Sequence, residues 1–219
     1  MNEDLLWERA ALVERGRRLE YFTIAWNAVE ALVALVSGIV AGSISLVGFG
    51  LDSFIEVASG SLLLWRMSVD VHEHDRERNE KLTLRAVAIC FLLLAAYIGY
   101  QSATDLWSKR VPERSTPGII LALVSLIVMP LLSRAKRSVG GALGSAAMVA
   151  DAKQTDFCAY LSAILLVGLL LNAKFGLWWA DPLVGLIMVP IIAKEGVQGL
   201  QDKACGNCAR ELPYAREKI

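Results

Sequence analysis

The chain has little of what soluble enzymes and nucleic-acid binders are made from. Among 219 residues there are only two histidines and four cysteines, and Lys plus Arg exactly balance Asp plus Glu. Zero net charge leaves no bulk field to gather nucleic acid, which is not an expected partner. With the histidines confined to His72 and His74, neither a His-Glu-x-x-His helix nor a Ser/His/Asp set is present, and no enzyme is expected. Residues 1–19 lack an apolar core followed by small residues, so no secretory signal is read there. They read instead as an amphipathic segment, Leu5, Leu6, Leu12 and Val13 against Glu8, Arg9, Glu14 and Arg15, lying on the inner membrane face.

Apolar length is what the chain has in excess. Hydrophobic residues make up 55% and the mean hydropathy is +0.48, too apolar for one soluble domain. Windows long enough to cross a bilayer fall at 20–42, 45–65, 85–107, 117–133, 144–172 and 178–200. This predicts an all-α integral membrane protein of six spans over residues 20–200, followed by a short cytoplasmic tail, 201–219. Of the 22 Lys and Arg, 17 lie in the N-terminal segment, the second and fourth connections and the C-terminal end, against Lys109, Arg110, Arg114 and Lys174 on the other side. The positive-inside rule then puts both termini in the cytoplasm. The expected location is a bacterial inner membrane. Cys205 and Cys208 would face a reducing compartment, and no disulfide framework is expected.

The polar residues inside the spans carry the chemistry. Asp52 and Glu56 lie four residues apart in span two, one helical turn on one face. A carboxylate in hydrocarbon costs a few kcal/mol, so its position implies a partner, an ion or a water path. A divalent cation between two like charges relieves their repulsion; so does a proton, and one pair can serve both. In span five, Asp151, Gln154, Cys158 and Ser162 recur at helical spacing and make a polar stripe. Facing Asp52 and Glu56, Gln154 and Cys158 would complete a four-ligand site with Asp151 behind them; otherwise the stripe is a polar cluster bonded to itself. A thiolate suits Zn²⁺, whereas the oxygen ligands leave Mn²⁺, Fe²⁺ or Co²⁺ open. Glu30, sharing a face with Asn27 in span one, is a supporting ligand, a proton carrier or an interhelical hydrogen-bonding group. Lys153 is read as pairing with Asp156, Glu30 or Asp52. His72 and His74 are accessory metal ligands at the cytoplasmic mouth or parts of a solvated loop. Cys205-Gly206-Asn207-Cys208 binds Zn²⁺ or Cu⁺ with a second chain, or no metal. Gly99 is read as a close helix contact, and Asp181-Pro182 as the N-cap and first residue of the last helix.

The chain resembles the membrane domain of the cation diffusion facilitator family. The resemblance is carried by six spans, Asp52-x-x-x-Glu56, Ala150-Asp151-x-x-Gln154-x-x-x-Cys158 and Ala180-Asp181-Pro182. It implies a divalent-metal/proton antiporter in which spans one, two, four and five rock against spans three and six, with protons exchanged at Asp52, Glu56 and Glu30. It also implies a homodimer, here built by membrane helices, because the tail is too short for the family's cytoplasmic α/β domain. The family usually places Asp where Glu56 stands, His or Asp at Gln154 and Asp at Cys158, so the metal is left open. No resident cofactor is expected; the metal is cargo. A non-transporting membrane scaffold or metal sensor, acting through Cys205/Cys208 and His72/His74, is the competing reading.

Overall fold

A computed structural model describes residues 3–68 and 73–201. Six helices account for nearly all of them: α1 Glu3–Ala41, α2 Ile44–Ser68, α3 Glu73–Ser108, α4 Thr116–Leu143, α5 Ala146–Phe175 and α6 Ala180–Leu200. Among the described residues, five are long and apolar enough to cross a membrane. The sixth, α2, carries Asp52 and Glu56 within its apolar run. The distribution of polarity is inverted relative to a water-soluble bundle. Glu20, Asn27, Glu30, Asp52, Glu56 and Lys136 are buried, while Leu32, Ile39, Val40, Tyr100 and Trp107 lie open. Such a surface needs lipid around it. The chain is an integral membrane protein of all-α fold.

The helices pair as α1 with α2, α4 with α5 and α3 with α6. Further contacts of α1 with α4 and α2 with α5 join the first four into one bundle, against which the α3–α6 pair leans through α2 and α5. Phe49, Ile98, Met129, Leu161, Leu165 and Met188 fill the apolar core between them. Small residues set the closest approaches. A Cβ on Gly196 would stand 2.9 Å from the Ala88 carbonyl oxygen, and one on Gly50 2.9 Å from the Leu35 nitrogen. Only glycine admits backbones that near. Gly99, read as a close contact, faces Val189 at an ordinary 3.5 Å, so the tight glycines of the α3–α6 seam belong to α6.

Four local readings are corrected. The segment after residue 133, taken as a connection because Arg134, Lys136 and Arg137 are charged, is helix to Leu143. The turn to α5 is only Gly144, in the left-handed conformation at φ 63°, and Ser145, whose hydroxyl caps the next helix. Helical periodicity survives the charges: Ser125, Met129, Leu132, Ser133, Lys136, Val139 and Gly140 are buried on one face of α4. Asp181 does not cap its own helix, where Trp179 holds the cap position with no side-chain bond. It reaches α2 instead, accepting from Ile44 N at 2.9 Å and from the hydroxyls of Ser43 and Ser45. A carboxylate on α6 thereby satisfies the exposed donors of the α2 N-terminus and complements its dipole. Asp156 pairs with Arg137 of α4 rather than with Lys153, and Lys153 acts electrostatically on Glu195 of α6. Finally, α1 is continuous from Glu3, so the segment expected to lie on the membrane face shares one helix with the first span.

Candidate metal centre

Four helices contribute to a polar interior. On α2, Asp52 and Glu56 are 3% and 5% exposed, and on α1 Asn27 and Glu30 are fully buried. Asn27 Nδ2 donates to Glu56 Oε2 at 2.8 Å. The Ser53 hydroxyl donates to Glu30 Oε2 at 3.1 Å, and Cys158 Sγ from α5 approaches the same oxygen at 3.8 Å. One turn along α2, the Ser59 hydroxyl donates to Gln154 Oε1 at 3.5 Å. Gln154 and Cys158 therefore do face α1 and α2, as the stripe on α5 requires. Ser162 turns back onto its own helix, donating to the Cys158 carbonyl at 2.8 Å. Asp151 leaves the stripe and binds Lys136 of α4.

The hydrogen-bond inventory of this interior is incomplete. Asp52 Oδ1, Glu56 Oε1, Glu30 Oε1, Asn27 Oδ1 and Gln154 Nε2 are all buried without a partner. Buried polar atoms are nearly always paired, and four orphaned oxygens beside three carboxylates need an explanation. Asp52, Glu56 and Glu30 also act electrostatically on Cys158, so the thiol shares their charged surroundings. These groups are neighbours rather than a closed ligand shell: among the described residues, no three His, Cys, Asp or Glu side chains are gathered tightly enough to hold a metal ion. An apolar groove of about 400 Å³ between α1 and α4, lined by Trp26, Val33, Ile120 and Val124, contains none of the predicted ligands.

Of the remaining predicted residues, His72, Cys205 and Cys208 lie outside the described residues. His74 stands in the first turn of α3, where only the backbone is described. Two residues of the polar interior were overlooked in the sequence. Glu20 and Lys136 are fully buried and joined at 3.2 Å. The signal for Lys136 was present, since it falls on the buried face of α4 while Arg134 and Arg137 fall off it.

An apolar bundle around buried carboxylates, each with one oxygen that receives no hydrogen bond, defines an integral membrane protein with a polar interior. The chain belongs to the cation efflux transmembrane domain family, whose match spans residues 21–203. Curated relatives agree. An uncharacterized transporter of Methanocaldococcus jannaschii is 28% identical over 178 residues, covering 78% of this chain and 62% of that protein. Transmembrane protein 163 of Xenopus laevis is 27% identical, covering 84% of this chain and 66% of its own length. An uncharacterized transporter of Synechocystis is 26% identical, with 90% and 66% covered. The chain thus spans about two thirds, or slightly less, of these relatives. What the match places in this chain is that family's transmembrane domain.

Proposed function

We propose that this chain exports a divalent transition-metal ion, Zn²⁺ or one close to it in size, from the cytoplasm in exchange for protons. The observation that carries the reading is Asp52: a buried carboxylate with an orphaned oxygen, one turn from the equally buried Glu56. Two buried carboxylates one turn apart are a costly arrangement that a divalent ion relieves. Asp52, Glu56 and Cys158 are the ligands, with Gln154 contributing its carboxamide oxygen. The thiol offers the soft donor that favours Zn²⁺, while the oxygens admit Mn²⁺, Co²⁺ or Fe²⁺.

Coupling follows from the same atoms. Carboxyl and thiol groups bind metal only after releasing their protons, so loading drives protons off and protonation drives metal off. Metal affinity therefore rises with pH. Glu30, touching Ser53 and Cys158, is the proton acceptor nearest the thiol. Alternating exposure comes from the α1, α2, α4 and α5 bundle moving against the α3–α6 pair, a division that the helix contacts support. Both termini face the cytoplasm of a bacterial inner membrane, an orientation supported by the segregation of Lys and Arg, and two copies associate through membrane helices. The test is metal uptake into proteoliposomes under an imposed pH gradient, with Zn²⁺, Mn²⁺, Co²⁺ and Fe²⁺ offered in turn. Gradient-driven flux of at least one metal is expected. No flux of any would leave a membrane scaffold or sensor.

A further inference from the structure

Beyond the central carboxylates, the densest buried charge lies where α1, α4 and α5 meet. Lys136, fully buried, donates to Glu20 Oε2 at 3.2 Å and to Asp151 Oδ2. Two carboxylates thus share one ammonium, and Glu20 Oε1 remains buried with no partner at all. If this trio were only a structural brace, one acid would suffice and no oxygen would be orphaned.

The trio is continuous with the metal centre. Glu20 and Asn27 lie seven residues apart, two turns along one face of α1, and Asp151 and Gln154 lie three apart on α5. Gly60, one turn beyond Glu56 on α2, packs on Ile24 of α1, and a Cβ there would also come within 3.9 Å of Glu20 Oε2. Lys136 and Asp151 both act electrostatically on Glu56. Lys136 also lies 20 residues into α4, about 30 Å from the end where Asp181 ties α6 to α2. Acidic groups therefore succeed one another from the Glu20–Asp151 end of the bundle to Glu56 and then Asp52.

We propose that Glu20 and Asp151 form a second cation site whose resident is the tethered Lys136 ammonium, displaced when a divalent ion passes to or from Asp52 and Glu56. The inference rests on the transport reading and adds a selectivity step to it. A free monovalent ion carries no more charge than the ammonium and lacks its tether, so it competes poorly with a group held at high effective concentration. A divalent ion carries twice the charge and fits a pair of carboxylates. Lys136 is a specificity-determining residue in this account, and it returns to the pair after each passage.

The experiment is Zn²⁺ binding stoichiometry of the full chain in lipid nanodiscs, comparing wild type, Lys136→Met and Lys136→Met/Asp151→Asn. Lys136→Met should gain one further Zn²⁺ per chain, and the double variant should lose that gain. Unchanged stoichiometry in Lys136→Met, with wild type binding normally, overturns the second site and leaves the transport reading intact. No Zn²⁺ on wild type but binding to Lys136→Met would sink Asp52/Glu56 as a Zn²⁺ site and keep the second one. No binding to either rejects both. Should Lys136→Met fail to fold, wild type decides alone: amine-directed labelling of Lys136, read by peptide mass spectrometry, should rise as Zn²⁺ is added. Labelling indifferent to Zn²⁺ overturns the proposal.

Discussion

Asp52 and Asp181 are two aspartates buried to the same degree, 3% and 2% exposed, in opposite circumstances. Asp181 receives two hydroxyls and a backbone N–H at the start of α2. Asp52 has an oxygen that receives nothing. Membrane burial makes both costly, and only for Asp181 does the protein itself supply the compensation. The contrast separates a carboxylate that organises the fold from one that, in the function proposed above, receives its compensation from the transported ion. Satisfaction, rather than burial, distinguishes the two.

The comparison can be broken most severely at Asp52. Asp52→Ala should abolish metal flux, beyond the roughly 10–100-fold loss that follows removal of a group merely supporting a ligand, while the thermal midpoint in detergent holds or rises. Flux at the wild-type rate would remove Asp52 from the site. Asp181→Ala should behave in the reverse manner, lowering stability by about 2–4 kcal/mol through three lost bonds to a charged acceptor. Flux per folded molecule should survive, and a thermal melt beside an activity assay separates the two effects. Gly196→Val should cost about 1–3 kcal/mol, because the Ala88 carbonyl is backbone and cannot swing aside. Cys158→Ser should leave folding unaffected and shift transport preference from Zn²⁺ toward Mn²⁺ several-fold, since a hydroxyl is the harder donor. Equal preference in competition uptake would show that the thiol does not touch the ion. Gly99→Ala, with room for its methyl beside Val189, should stay within about 0.5 kcal/mol of wild type.

Much of this molecule was legible from apolar length and polar spacing. Six helices follow from six apolar windows, and the facing of Gln154 and Cys158 toward α1 and α2 follows from the stripe on α5. The misreadings of α4 and of Asp181 both come from reading a charged residue against its sequence neighbours alone. Charge near a span end was treated as the end itself, so Arg134, Lys136 and Arg137 closed α4 early, although Lys136 is neutralised by residues 116 positions before and 15 after it. Asp181 was assigned to its own helix for the same reason. Local sequence signals a capping side chain but not which helix it caps, and its true partner lies 137 residues away. Partners that distant leave no periodicity to read.

In the proposed function the α2 carboxylates, and not buried carboxylates in general, hold the transported ion. Equilibrium Zn²⁺ binding to purified wild type, Asp52→Asn and Asp181→Asn tests it directly. Binding lost in Asp52→Asn and retained in folded Asp181→Asn is the predicted result. Equal Zn²⁺ affinity in wild type and Asp52→Asn would contradict it.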